Sequence, residues 1–489
     1  MTEENSRELY AAFKSKDSRF DGRFFVGVSS TGIYCRPVCR AKMPKAENCT
    51  YYKTAAEAEY AGFRPCLSCR PELAPGTMIT PTDATADLAH RAARLLEREC
   101  GSGQKVEELA ARLGCTGRHL RRAFTAEYNV PPVQYLQTCR LLLSKNLLMQ
   151  TDLPVHKIAK ASGFRDLRHF NVLFKKQYHL TPTMIRRQKS EKEKQSETVT
   201  LALGYRPPYQ WQQILDFLEA RAISGVEIVR NDEYLRTVHI TAEEQHLYGW
   251  VRVGNRPDKN VLTVTISETL LPALPDILFR IRHLFDLYCD PDAVYETLSE
   301  MNDIKSDLCV LGTRLPGCFD PYETAVRAVL GQQITVKAAR TLAGRLAETY
   351  GTPIQTGIEG LTHTFPQPEN ILDLSDSITE NLGLLGIISA RSKTILMLSQ
   401  AFVNGSIDFE FCIQPEIEMK KLLKITGIGP WTAKYIAMRT MGWPDVFLET
   451  DAGIKKALAP RTEKEMAEMA LAWKPWRSYA TINLWNSLE

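Results

Sequence analysis

Leu422–Asp451 reads LLKITGIGPWTAKYIAMRTMGWPDVFLETD, and its interpretation decides the fold. A helix-like run ends at Lys424. Thr426-Gly427-Ile428-Gly429-Pro430 is too rich in glycine to continue it. A second helix is expected from Trp431, with Trp431, Tyr435, Ile436 and Met438 spaced for one buried side. The two glycines let backbone approach a ligand closely. The N–H groups that open the second helix point outward with the positive end of its dipole, which suits a phosphate without reading sequence. An acid, Asp451, closes the otherwise apolar stretch Val446-Phe447-Leu448-Glu449-Thr450. A glycine turn joining two core helices, with Asp451 as a helix cap, is the plainer alternative.

GIGPWTAKY followed 20 residues after Trp431 by an Asp resembles the helix-hairpin-helix DNA glycosylases. The resemblance implies that the hairpin, through Gly427 and Gly429, grips the DNA backbone and that Asp451 is catalytic.

The whole chain has 489 residues, enough for two to four domains, and its 44% hydrophobic and 24% charged residues are ordinary for soluble globular chains. No run of 18 apolar residues predicts a membrane span, and the polar start MTEENSRELYAAFKSK predicts no secretory signal. The net charge of +4 hides an asymmetry. Residues 1–196 hold 33 Lys+Arg against 20 Asp+Glu (+13), and residues 197–489 hold 28 against 37 (−9). The basic front half favours a polyanion such as DNA. The acidic back half must contact DNA locally, through the hairpin.

Twelve cysteines in a chain of this length do not suggest a disulfide scaffold. Cys35 and Cys39 form one close pair and Cys66 and Cys69 another, a spacing suited to a tetrahedral zinc site, with Cys49 left over. Spacing alone fits a purely structural zinc, which a domain of about 75 residues with little core would need. TGIYCRPVCRA and AGFRPCLSC, however, are similar to the N-terminal domain of the Ada family. The resemblance implies that Cys35 is a zinc ligand and also the nucleophile that takes a methyl group from a DNA methylphosphotriester, with Cys39, Cys66 and Cys69 as the other ligands. Arg36, Arg40, Lys42, Lys45, Arg64 and Arg70 are candidate phosphate contacts. Thr31, Lys42 and Arg64 are those carried forward, and Lys42 supplies charge without a bidentate fork.

After a linker at 75–82 and a helix at Ala84–Arg98 come two similar units, Val106–Tyr128 and Val155–Tyr178. Each has an apolar helix, a turn glycine (Gly114, Gly163) and a basic helix with inner aromatic residues, the helix-turn-helix pattern. With LTPTMIRRQ at Leu180–Gln188 the pair resembles the AraC-type regulators. The second helices are expected roughly at Thr116–Phe124 and Arg165–Lys175. Arg118, His119, Arg121, Arg122, Arg165, Arg168 and His169 are groove or phosphate candidates, with Arg118, Arg122 and Arg168 foremost. A helical bundle with solvated basic faces is the alternative.

The charged run KSEKEKQSE predicts a linker. From Val199 the pattern alternates as in an antiparallel sheet, and from about Leu287 it turns helical. RPPYQW, FLEARAISGVE, LPGCFDPYETAVRAVLGQQITVKAARTLAGRLAETYG and WKPWRSYATINLW resemble the AlkA family of 3-methyladenine DNA glycosylases. By position the resemblance implies a base pocket of Phe217, Trp431, Tyr435 and Trp485, whose electron-rich faces would hold a flipped, cationic base. Asp451 would stabilise charge on the sugar and orient water. Bifunctional relatives carry a Lys where Trp431 stands, and Lys434 lies about 300° round the helix from it. The expected enzyme is therefore monofunctional and leaves an abasic site. Two positions depart from the family: Gln333 replaces the Leu wedge, and Ala452 replaces an aromatic residue. No Pro-Cys-His-Arg site is found, so reversal of O6-alkylguanine is not expected.

The expected protein is multidomain α+β. It comprises a small zinc domain (1–76), an all-α AraC-type double helix-turn-helix domain (77–188), a linker (189–198), an antiparallel sheet domain (199–285) and an all-α helix-hairpin-helix glycosylase domain (286–489). Its cofactors are one Zn2+ and, as a family trait, a monovalent cation at the hairpin. Its partners are double-stranded DNA carrying alkylated bases and methylphosphotriesters, promoter DNA and RNA polymerase, with no membrane. It is expected to act as a monomer in the bacterial cytoplasm, at the nucleoid.

Overall fold

The computed structural model describes residues 3–76, 84–102, 105–187, 198–242, 244–409 and 415–488. The linkers expected at 75–82 and 189–198 lie almost wholly outside these. The chain divides into two compact units: Met1–Pro207 with Thr241–Leu247 and Arg256–Phe279, and Pro208–Ile240 with Tyr248–Asn255 and Arg280–Glu489. The stretch 199–285, which reads as one sheet domain, thus contributes to both. No helix among the described residues is long and apolar enough to cross a membrane.

The first unit opens with a small sheet of β1 (Phe25–Val28), β2 (Ile33–Cys35), β3 (Cys49–Tyr52) and β4 (Arg64–Pro65), in the order β3-β1-β2-β4. Pairing of Val26 with Cys35 and of Gly27 with Tyr34 fixes what each face carries. One face packs Phe24, Val26 and Tyr51 against Cys35, Cys39 and Cys66. The other packs Tyr34 with Phe25 and Ala58.

Two helix pairs follow, Val106–Arg112 with Gly117–Tyr128 and Val155–Ala161 with Leu167–Tyr178, separated by the long helix Pro132–Gln150. Gly114 (φ 70°) and Gly163 (φ 80°) make the turns in left-handed conformations that favour glycine. Thr116 and Asp166 cap the second helices by accepting from His119 N–H and from the Arg168 and His169 N–H groups. Both second helices run a turn beyond their expected ends. Tyr128 and Tyr178 extend the buried aromatic stripes, and Asn129 and His179 then stop the helices at positive φ.

Buried polar bridges tie the sheet module to these helices. Glu59, 3% exposed, accepts from Tyr34 Oη at 3.1 Å, Thr138 Oγ1 at 3.0 Å and Tyr178 Oη at 3.4 Å. Lys145, 0% exposed, pairs with Glu72. Arg70, which follows Cys69, reaches Glu72 at 3.0 Å and Asn146 at 2.7 Å. Within the same unit, β5 (Thr198–Gly204) pairs antiparallel with β9 (Val261–Ser267).

The remaining strands are β6 (Glu227–Arg230), β7 (Glu233–Ala242) and β8 (Gln245–Arg256), and β6 pairs antiparallel with β7. The rest of the second unit is mainly helical. Its core joins Val326 and Val329 of helix Pro321–Leu330, Leu346 of Val336–Tyr350, Ile395 and Leu398 of Ser389–Val403, and Leu422 and Ile436 from the two sides of the hairpin.

Burial raises the Glu59 carboxyl to about 8, against the three hydroxyl contacts and Lys145, which act to lower it. The folded chain therefore holds a proton that the unfolded chain releases near 4.5. The stability due to the protonated form is fully present below that value and is lost as pH rises through about 8. Thermal melts of the wild type should fall across this window by an amount worth a few kcal/mol, and Glu59→Gln should flatten the fall. Equal slopes for the two proteins would contradict this.

Candidate functional site

The hairpin joins helix Pro415–Leu422 to helix Pro430–Thr440. Gly427 sits at φ 93°, and a Cβ there would come within 2.0 Å of Thr394 Oγ1, so only glycine fits. Thr394 Oγ1 donates to Thr426 O at 2.9 Å, and Gln332 Nε2 donates to Gly427 O at 2.8 Å, so one carbonyl is anchored from helix Ser389–Val403 and the other from the turn after helix Pro321–Leu330. Gly429, the N-cap, has no atom near its missing Cβ, which leaves that side of the backbone open. Pro430 takes the first helical position, where no N–H is needed.

The apolar side expected on the second helix is split. Ile436 and Met438 are fully buried. Trp431 and Tyr435 are half-buried and stack on each other, with centroids 5.3 Å apart and planes 7° apart. They face a cleft of about 1010 Å³ that Trp485, Asp451, Arg221 and Arg439 also line.

Asp451 is both the helix cap and the carboxylate of this cleft. Its Oδ1 accepts from Gly453 N (2.9 Å), Ile454 N (3.1 Å) and Trp485 Nε1 (2.9 Å), and its Oδ2 accepts from Trp431 Nε1 (3.1 Å). Four N–H donors fix its direction. Gly453 permits the close approach, because a Cβ there would come within 3.0 Å of both Asp451 Oδ1 and Trp485 Cδ1. Lys434 is occupied by Glu449, with both oxygens at 2.6 Å, and does not reach Asp451.

Phe217, 5% exposed, lies behind the cleft rather than in its lining. It stacks with Trp485 at 6.4 Å and 19°. The Arg221 guanidinium covers its ring at 3.7 Å and that of Arg439 approaches at 4.7 Å. Arg439 Nη1 donates to Tyr435 Oη at 2.8 Å. Burial alone would raise the Tyr435 hydroxyl, but Arg439, Arg221 and Arg327 outweigh it and hold the phenol below its ordinary value. Gln333 is exposed at φ 54° beside the hairpin-anchoring Gln332. Ala452 is exposed and contributes only a methyl group to the cleft lining.

In the first unit the Sγ atoms of Cys35, Cys39, Cys66 and Cys69 all lie within 4.8 Å of one another, three of the residues being buried. Four soft donors gathered so closely fit a tetrahedral zinc with bonds near 2.3 Å. Cys49 stands apart, its thiol bonded to Lys45 O at 3.4 Å. Arg36 and Arg70, counted among the phosphate candidates, are committed internally. Arg36 pairs with Asp21, donates to Cys69 O at 3.1 Å, and gives its backbone N–H to Cys69 Sγ at 3.3 Å. Arg70 belongs to the Glu72–Asn146 bridge. Thr31 and Lys42 are exposed, and Arg64 is half-exposed on β4. On the second helices Arg118, Arg122 and Arg168 are exposed, whereas Arg121 pairs with Glu107.

Sequence reasoning did not single out Arg221, Arg439 or Gly453. The spacing of Phe217 and Arg221, four apart on helix Trp211–Arg221, is the signal that would have placed a guanidinium over the ring.

Four family models match the chain: the metal binding domain of Ada over residues 8–72, a helix-turn-helix domain over 109–188, the AlkA N-terminal domain over 200–320, and the HhH-GPD superfamily of base excision DNA repair proteins over 326–477. A probable bifunctional transcriptional activator/DNA repair enzyme AlkA of Mycobacterium tuberculosis is 35% identical, over 98% of this chain and 96% of that protein. DNA-3-methyladenine glycosylase 2 of Escherichia coli is 35% identical, over 58% of this chain and 95% of that protein. The bifunctional transcriptional activator/DNA repair enzyme Ada of Escherichia coli is 36% identical, over 31% of this chain and 41% of that protein.

The thiol centre makes a direct prediction. The purified chain should carry a single zinc, and cobalt in its place should give the absorption of tetrahedral thiolate ligation. Cys69→Ser should lower metal content and melting temperature together. Full metal content in both Cys66→Ser and Cys69→Ser would contradict this.

Proposed function

The chain belongs to the family of bifunctional transcriptional activator/DNA repair enzymes, and on that premise we propose how its two sites divide the work of DNA alkylation repair. The glycosylase site is carried by one observation: Asp451 is aimed into the cleft by indole N–H groups from both Trp431 and Trp485. A damaged nucleotide flipped out of the duplex enters the cleft with its base against the stacked Trp431 and Tyr435. As the C1′–N bond lengthens, positive charge grows on the sugar. The Asp451 carboxylate stabilises that charge and orients the attacking water. Lys434, neutralised by Glu449, forms no Schiff base, and the product is an abasic site. Gly427 and Gly429 offer hairpin N–H groups to a phosphate, and Gln333 enters the space that the base vacates.

The thiol site performs the second chemistry. Bound zinc supplies four thiolates in place of thiols. The Cys35 sulfur attacks the methyl carbon of a methylphosphotriester, forming the S–C bond as the C–O bond breaks and the phosphate oxygen takes the electron pair. The resulting thioether is permanent, so each chain reacts once. It removes one negative charge close to the DNA phosphates, which raises affinity. Thr31, Lys42 and Arg64 contact phosphate around Cys35, and Arg118, Arg122 and Arg168 carry the promoter contacts. We further propose domains bounded at 1–76, 77–188, 199–285 and 286–489, and a monovalent cation on hairpin carbonyls. The methylated form engages RNA polymerase, and the chain acts as a monomer in the bacterial cytoplasm at the nucleoid.

Separating the two activities tests this reading. Asp451→Asn keeps a capping oxygen but should slow release of 3-methyladenine from methylated duplex by on the order of 10²–10⁴. Cys35→Ser should release the base at the wild-type rate. Release by Asp451→Asn as fast as by wild type would reduce the second unit to a scaffold for a regulator.

A further inference from the structure

The cleft holds more positive charge than the capture of a cationic base would call for. Arg327 is balanced, with Glu227 and Glu323 each at 2.9 Å, and Arg236 is balanced by Glu323 at 2.6 Å. Arg439 spends its donors on the carbonyls of Pro316 and Gly317 and on Tyr435 Oη. Arg221 gives Nη1 to the carbonyl of Phe217 at 3.2 Å and lies flat on the Phe217 ring. Among the described residues neither Arg221 nor Arg439 has a carboxylate partner. Both line the cleft that contains Asp451, and the aromatic face of Phe217 that would have stacked a cation is already covered by a guanidinium.

We propose that Arg221 sorts flipped bases by charge, presenting guanidinium N–H groups that favour a neutral base with lone pairs on its edge over a base with a fixed positive charge. The inference rests on the glycosylase reading and deepens it. A base with fixed positive charge leaves as a neutral molecule and needs no help from a donor, whereas it pays a repulsive penalty beside a guanidinium whose only acidic neighbour among the described residues is the Tyr435 hydroxyl. A neutral base is the harder leaving group. Its C1′–N bond breaks with the electron pair moving to the base nitrogen, so the base departs as an anion. Water oxygen then bonds to C1′; one water proton remains as the hydroxyl of the abasic sugar and the other neutralises the base. Negative charge therefore develops on the base while positive charge develops on the sugar. In this proposal Arg221 serves the base side of that separation and Asp451 the sugar side, both residues lining the one cleft.

The test compares single-turnover base release by the full zinc-loaded chain from two duplexes, one with 7-methylguanine (fixed positive charge) and one with hypoxanthine (neutral). In Arg221→Gln the ratio of the hypoxanthine rate to the 7-methylguanine rate should fall by roughly 10–100-fold, the effect expected of one lost hydrogen bond to a charged group. Arg221→Lys keeps the charge and the stem but not the planar fork, and should lower the ratio by less. A ratio equal to that of wild type in both variants, with the two rates falling together, would overturn the proposal and leave Arg221 as a support for Phe217 and Tyr435. If the wild type released neither base, the glycosylase reading itself would be overturned, and this inference with it.

Discussion

A carboxylate that must be held in one direction within a half-buried cleft governs the second unit. Asp451 meets that demand with four N–H donors, two from its own helix start and two from indoles. Each donor imposes a requirement elsewhere. The backbone pair needs a helix to begin at Ala452, and the residue at 453 must lack a side chain. The Trp431 donor needs the glycine hairpin, because Gly427 and Pro430 set where that helix starts. The Trp485 donor needs helix Arg477–Asn486 to run beside it. Helices far apart in sequence thus converge on one pair of oxygens, and the core of Val326, Ile395, Leu422 and Ile436 holds them there.

The first unit obeys a comparable constraint. Four sulfurs within 4.8 Å of one another have few stable arrangements without a metal. Around them the side chains that look like surface cations are drawn inward: Arg36 to Asp21 and the Cys69 carbonyl, Arg70 to Glu72 and Asn146. The same bridges fasten the thiol module to the helix-turn-helix pairs through Glu59 and Lys145. A change at Cys35 is therefore one residue from Tyr34, which touches the buried Glu59 shared with Thr138 and Tyr178.

Much of this was legible in the sequence because the signals were local. The glycine hairpin, the paired cysteines, and the two turn glycines each specify a backbone geometry within a dozen residues. The helix Ala84–Arg98 and its buried Leu88, Ala92, Leu95 and Leu96 follow from periodicity alone. What was hidden depends on contacts between distant segments. Periodicity cannot tell that Ile436 faces the core while Trp431 and Tyr435 face a cleft. The aromatic Phe217 was readable, but its cover by Arg221 and Arg439 was not, since Arg439 is brought there by the packing of another helix. Two readings of Asp451, helix cap and cleft carboxylate, looked like alternatives and are the same fact.

The central claim is that one chain carries two separate chemistries on alkylated DNA. The most direct measurement incubates the zinc-loaded chain with methylated duplex and reads both the bases released and the intact mass of the protein, followed by peptide mapping. The expected result is released 3-methyladenine together with one added methyl group on the peptide that contains Cys35. Released base with no gain in mass, while all four thiols still hold zinc, would contradict the claim and leave the first unit as a module that only binds DNA.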